Sequence, residues 1–290
     1  MDLFTTNKDM TVRDISFADL SDKLYGGSES KVGIVVDGKY YIMKYPKQIS
    51  NVGKTLSHVS ENLASRIIKI FGVPVHNTEL CIYKNQEVVI LEDFAVKGRL
   101  LEFNTSSESL YDTDLSKHRV YTYAEILCLI RKHSKLVDIA STIERFWKQF
   151  VLDALLANFD RHGYNWGFLI QNNEYSLAPI YDNGSSLFPR LVSDEDCIHV
   201  LSNKAELDRR TFEFPTSQIM LHGKKSLYYS VLKSKEFEGC TQAMKWLIEQ
   251  YDAAAIQYEI NRTPFISETH KEFYSKIIDY RFNKLFKEII

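Results

Sequence analysis

The chain is poor in the residues that mark several protein classes. Its 290 residues include only 4 cysteines, at Cys81, Cys128, Cys197 and Cys240, and none forms a C-x-x-C pair. That spacing argues against a thiol-based metal site or a disulfide framework and suits a reducing compartment. Proline (6) and glycine (12) are scarce, so no linker-like or low-complexity tract interrupts the chain. Charge bias is also lacking, at a formal −2, which removes the basic field that would attract nucleic acid and the acidic excess of disordered chains. No apolar run approaches the length needed to span a bilayer, so no membrane association is expected. The start, MDLFTTNKDMTVRD, lacks the basic residues and apolar run of a Sec-type signal peptide. The expected location is therefore the cytoplasm, or outside the cell by a route that needs no such signal.

What is present is a large apolar fraction, 44%, with 13% aromatics, enough for a packed core in one large domain or two modest ones. Residues 25–47 read YGGSESKVGIVVDGKYYIMKYPK. The β-branched run VGIVV predicts a strand, Asp37-Gly38 a two-residue turn, and KYYIMKY the returning strand. Residues 54–72 carry Leu63, Ile67, Ile68 and Phe71 at helical spacing, stopped by Gly72 and Pro74. Residues 78–94, TELCIYKNQEVVILEDF, predict a second hairpin turning at Lys84-Asn85. Residues 95–118 are polar and read as a connecting loop. Beyond 121 the pattern is mainly helical, with YAEILCLIRKH and IERFWKQFVLDALLANF as amphipathic candidates. The stretch 200–235 reads as a solvated loop, with substrate contact as the alternative. The fold class is α+β: a small antiparallel-sheet lobe with one helix over residues 1–95, then a larger, mainly helical lobe over 96–290.

The densest chemistry lies at 158–183, NFDRHGYNWGFLIQNNEYSLAPIYDN. A long helix ends, Asp160 and Asn165 follow in a D-x-x-x-x-N loop, a short hairpin intervenes, and Asp182 closes the segment. A carboxylate there can accept a hydroxyl proton. An amide oxygen and a second carboxylate can hold Mg²⁺, which takes few protein oxygens and completes its shell with phosphate oxygens and water. This is the layout of kinase catalytic machinery. Taken singly, Asp160 and Asp182 could each be a turn former; their joint spacing with Asn165 carries the reading. Lys44, on an apolar-flanked strand, reads as a phosphate-binding lysine, or alternatively as an edge-strand lysine facing water. Glu61, on the following helix, is its candidate partner.

FDRHGYN with LAPIYDNG, together with the upstream YGGSESK, YIMKYP and SENLAS, resembles the HipA-like serine/threonine kinase family, over roughly residues 20–230. The CtkA-type branch, whose members begin directly at the glycine loop, is the nearest in pattern. The resemblance implies a bilobal protein-kinase-like fold, ATP and Mg²⁺ as cofactors, and a protein substrate. It makes Asp160 the base, Asn165 and Asp182 the metal ligands, and Lys44, fixed by Glu61, the phosphate lysine. His162 stands where the eukaryotic loop carries a lysine and is a further catalytic candidate. Gly26, Gly27, Ser28, Ser30 and Lys31 would form the phosphate loop, and Glu92 and Phe94 the adenine-facing hinge. Ser28 and Ser30 are candidate autophosphorylation sites.

Some positions depart from the family pattern. Glu29 replaces a frequent glutamine, Tyr164 a frequent basic residue, and the segment before Gly26 is short compared with the extra subdomain of HipA itself. The last departure weighs against HipA-style antitoxin docking, although an antitoxin partner stays open, as does a role as toxin or secreted effector. The expected activity is transfer of the ATP γ-phosphate to protein serine or threonine. The alternatives are a small-molecule kinase of aminoglycoside or lipid type and an ATP-binding pseudokinase.

Overall fold

Two-residue turns with left-handed backbone at both central positions organise the first third of the chain. The computed structural model describes residues 12–21, 31–96, 98–106, 121–133 and 135–290. Strands β3 (Lys31–Val36) and β4 (Lys39–Lys44) turn at Asp37 and Gly38, with φ +49° and +74°. Strands β7 (Thr78–Tyr83) and β8 (Gln86–Glu92) turn at Lys84 and Asn85, with φ +48° and +61°. Such turns match the right-handed strand twist, so each hairpin is specified locally. With β1 (Arg13–Asp14) and β2 (Asp19–Leu20) they form a six-stranded sheet among the described residues, in the order β1-β7-β8-β4-β3-β2. A small ribbon, β5 (Gln48–Ile49) with β6 (Gly53–Lys54), leads into helix α1 (Ser57–Ile70).

The centre of strand β8, Val88–Leu91, is apolar and buried because both its faces are covered. Val88 and Ile90 pack with Ile15, Ile34 and Met43 on one side; Val89 and Leu91 pack with Val59 of α1 on the other. Helix α1 also serves the second half of the chain. Its Leu63, Ile67 and Ile68 belong to the large core of the helical region. The loop residue Phe71 lies 5.9 Å from the Trp246 ring and 6.5 Å from the Tyr251 ring. Arg66 is paired with Glu259. The helix is therefore anchored on both sides.

The second half contains β9 (Arg99–Glu102), α2 (Tyr123–Lys132), α3 (Ile139–Leu155), β10 (Gly167–Gln171), β11 (Glu174–Leu177), α4 (Asp194–Ser202) and α5 (Lys204–Asp208). A π-helical turn (Arg209–Glu213), β12 (Thr216–Leu221), β13 (Lys224–Leu227), α6 (Tyr228–Ser234), α7 (Glu238–Gln250), α8 (Ala253–Asn261) and α9 (Glu268–Phe282) follow. In α3, Trp147, Phe150, Val151, Ala154 and Leu155 are buried at i, i+3, i+4, i+7 and i+8, as the sequence pattern required, and the last two turns, Gln149 to Leu155, are buried all round. No helix among the described residues is long and apolar enough to cross a membrane.

Two expectations need correction. The region after 95 is not all loop, because Arg99–Glu102 pairs antiparallel with β10 to make a three-stranded sheet with β11. Gly167 permits that pairing: a Cβ there would lie 2.3 Å from the Leu101 carbonyl oxygen. The stretch 200–235 is not a solvated loop either. It forms a helix, a π turn, a hairpin and a second helix, and it buries Arg210, Ser217, Ile219, Ser226, Tyr228, Val231 and Leu232. Its polar residues misled the reading because they satisfy one another. The Tyr123 hydroxyl meets the Ser226 hydroxyl at 2.8 Å and the Ser217 hydroxyl at 3.2 Å, inside the core.

His58 couples this packing to pH. It is buried at the start of α1, with the Phe265 ring at 6.2 Å and a Glu87 carboxylate oxygen 3.4 Å from Nε2. Burial outweighs the attraction of Glu87 and pushes the imidazole pKa down to about 4. The unfolded chain then takes up a proton that the folded chain refuses, so stability falls as pH drops from about 6.5 to about 4, by roughly 3 kcal/mol in all. Urea unfolding across this range should show that slope, and His58→Leu should flatten it. An unchanged slope in the variant would reject the assignment.

Candidate active site

The segment after β11 is laid against the connector between α1 and β7. Ile180 donates its N–H to Pro74 O at 2.9 Å, and His76 donates its own to Ile180 O at 3.0 Å. This clamp delivers Asp182, in a left-handed backbone conformation of φ +58°, to the end of β4. There Lys44 Nζ donates to Glu61 Oε2 at 3.0 Å and to Asp182 Oδ1. Glu61 is saturated: its Oε1 also accepts the Asn183 N–H at 2.7 Å and stands 3.0 Å from His76 Nε2. Gly184 lets the backbone come this close, since a Cβ would sit 3.2 Å from Ser57 O and 3.3 Å from Glu61 Oε2.

Charge in this cluster is balanced by proximity. Burial opposes ionisation of Asp182, but Lys44, helped by Lys31, holds its carboxyl below the usual range against repulsion from Glu61. Burial likewise opposes ionisation of Glu61; Lys44, His76 and the Asn183 N–H overcome it and depress its pKa. Lys31 pairs with Lys44 across the β3–β4 register, so two cations border one mouth.

The second half of the site is the loop after α3. Ala157 breaks the helix with φ +56°. Asn158 donates from Nδ2 to Asp153 Oδ1 at 3.0 Å, and its Oδ1 accepts the Asp160 N–H at 3.0 Å. Asn165 donates from Nδ2 to Asp160 O at 2.8 Å, closing the D-x-x-x-x-N loop and orienting its amide. Arg161 is buried beneath. Its guanidinium contacts both Asp153 oxygens at 3.0 to 3.3 Å, Asn165 O at 2.8 Å, Tyr181 O, and Asn183 Oδ1 at 2.6 Å. Although burial disfavours its charge, Asp153 raises the Arg161 pKa. One side chain therefore ties helix α3, the Asp160 loop and the Asp182 segment together.

The Asp160 carboxylate is 38% exposed, open to an incoming group, with His162 Nε2 3.8 Å away. Because His162 Nδ1 accepts the Tyr164 N–H at 3.3 Å, a neutral ring carries its proton on Nε2, toward Asp160. Gly26, Gly27, Ser28 and Ser30 lie outside the described residues. Glu92 and Phe94 border the region, but their amides are engaged: Glu92 N–H donates to Asn77 O at 2.9 Å and Phe94 N–H to Glu92 O at 3.1 Å. The Phe94 ring lies 5.8 Å from that of Tyr181, beside Asp182. Asp153, Asn158, His76 and Asn183 escaped the sequence reading. Only Asn183, next to Asp182 in D-N-G, carried a local signal, and it read as a turn residue.

Among the described residues no group of three or more His, Cys, Asp and Glu is arranged to hold a metal ion. Asp182 and Asn165 carry a carboxylate and an amide oxygen, hard donors of the kind Mg²⁺ accepts alongside phosphate.

The family described as the HipA-like C-terminal domain matches residues 24–255. The chain belongs to that family. It is 32% identical over 286 residues to the serine/threonine-protein kinase CtkA of Helicobacter pylori, covering 95% of this chain and 87% of that protein. The crystal structure of the H. pylori proinflammatory kinase CtkA superposes with a TM-score of 0.88, at 32% identity and 96% coverage of both chains. The HipA of Shewanella oneidensis, solved with HipB and operator DNA, shares the fold at a TM-score of 0.57 and 14% identity, over 91% of this chain and 65% of that one. The HipA-like family expected from FDRHGYN and LAPIYDNG is thus found, as is the likeness to the CtkA type, and the α+β architecture is the kinase-like fold.

Proposed function

We propose that this chain transfers the γ-phosphoryl group of ATP to serine or threonine hydroxyls of a protein. One observation carries the reading: Lys44, bonded to Glu61, converges on Asp182, while Arg161 ties the Asp182 segment to the loop bearing Asp160 and Asn165. In this reading Asp160 accepts the hydroxyl proton and aims the oxygen. Lys44 and Lys31 hold phosphate oxygens, and Glu61 keeps Lys44 extended toward them. Asn165 and Asp182 would hold Mg²⁺, which would supply neutralisation of the phosphate charge. The saturated contacts of Glu61 and Arg161 support a preorganised site, in which positioning and electrostatics supply most of the rate.

The test is radiolabel transfer from ATP with Mg²⁺ to the protein itself, to a protein panel and to aminoglycosides and lipids. Asp160→Asn should lower kcat by about a hundredfold with ATP affinity unchanged, as expected for loss of a general base. Undiminished turnover in that variant would remove Asp160 from its role. Transfer only to the small molecules would overturn the substrate class.

A further inference from the structure

Beside the Asp160 loop is a cavity of about 180 Å³ that the reaction just described does not use. Its floor is aromatic. Phe159, Phe188 and Phe214 line it, with the Phe214 ring 6.1 Å from each of the other two. Arginines flank it. Arg190 lies over Phe159 at 5.6 Å, and Arg210 over Phe188 at 5.9 Å, with Arg209 alongside. Arg209 and Arg210 share the single carboxylate of Glu206, and Glu213 adds one further negative charge near Arg209. Arg190 is exposed and has no carboxylate partner among the described residues. Three cations thus face two anions around an apolar hole.

The location is informative. Phe159, which lines the cavity, immediately precedes the candidate base Asp160 in the chain. The segment carrying Phe188 and Arg190 is pinned from two directions: Leu187 N–H donates to Leu156 O at 2.8 Å, and Pro189 O accepts the Leu56 N–H at 2.9 Å. Leu187 and Phe188 are both left-handed, at φ +57° and +56°, a costly conformation for two consecutive side-chain-bearing residues. Phe214, 41% exposed, is a large apolar ring left open beside this frame.

We propose that this cavity is the specificity pocket for the protein substrate. It takes a large apolar side chain one or two residues from the phosphorylated serine or threonine, with an acidic neighbour paired to Arg190. The inference rests on the kinase reading above and adds the substrate's sequence class. An aromatic floor desolvates the apolar side chain, while the unmatched guanidinium selects negative charge and rejects basic flanks.

The experiment is phosphorylation of a dephosphorylated proteome digest by the full chain with ATP and Mg²⁺, with sites aligned by mass spectrometry. Wild type should enrich Phe, Leu, Ile or Met next to or one removed from the site, with Asp or Glu beside it. Arg190→Glu should lose the acidic preference and raise KM for an acidic consensus peptide about tenfold, while KM for the same peptide with its acids replaced by neutral residues moves far less. Phe214→Ala should weaken the apolar preference alone. Flat positional preferences, or an unaltered motif in Arg190→Glu, would overturn the pocket. So would autophosphorylation without any peptide phosphorylation. Absence of both activities would reject the kinase reading itself.

Discussion

An Asp182→Ala variant should remain folded and lose phosphoryl transfer by a factor of about 10³ or more, the scale of removing a preorganised charge-stabilising group. Folding should survive because Lys44 keeps Glu61 at 3.0 Å, and Glu61 keeps the Asn183 N–H and His76. No buried charge is stranded. The loss should fall on kcat, since the other phosphate-facing groups, Lys44 and Lys31, remain. Circular dichroism and thermal unfolding should match the wild type, while γ-phosphate transfer should approach background. A variant retaining a tenth of the activity would exclude Asp182 from the reacting centre. One that fails to fold would show that Asp182 is a structural member of the cluster instead.

Arg161→Met should have the largest effect on stability. It removes the guanidinium that contacts both oxygens of the buried Asp153 and leaves that carboxylate with Asn158 Nδ2. Breaking one side of a buried pair costs about 3–5 kcal/mol. For a chain of this size the melting temperature should fall by roughly 10 °C. Asn165 O, Tyr181 O and Asn183 Oδ1 lose their donor at the same time, so activity should collapse even where the variant is still folded. A double variant, Arg161→Met with Asp153→Leu, should regain part of the stability by removing the stranded charge, but none of the activity. Equal recovery of both would show that Arg161 acts only as core packing.

The contrast between these two residues reflects how much of the site could be read in advance. Asp182 stood out in sequence because Asp160 and Asn165 precede it at kinase-like spacing. Arg161 stood inside the FDRHGYN motif with no catalytic role assigned to it, and its partner Asp153 is one more polar position on α3 in the sequence. Likewise β9 gave no signal, since its pairing partner Phe168 is far along the chain from Leu101. The 200–235 stretch looked solvated because polar residues such as Ser217 and Ser226 interrupt its apolar pattern, yet both are buried and bonded to each other and to Tyr123.

By itself the sequence determined the hairpins at Asp37-Gly38 and Lys84-Asn85, the apolar faces of α1 and α3, and the chemical types held in the D-x-x-x-x-N loop. These depend on turn conformation and side-chain periodicity among residues a few positions apart. Only the tertiary structure decided that Asp182 meets Lys44 across 138 positions, that Asn183 meets Glu61 across 122, and that an aromatic cavity ringed by arginines opens beside Asp160. Those contacts arise when separately specified elements are packed together. The free energy that holds them comes from burial shared among many distant residues, and no short window of sequence records it.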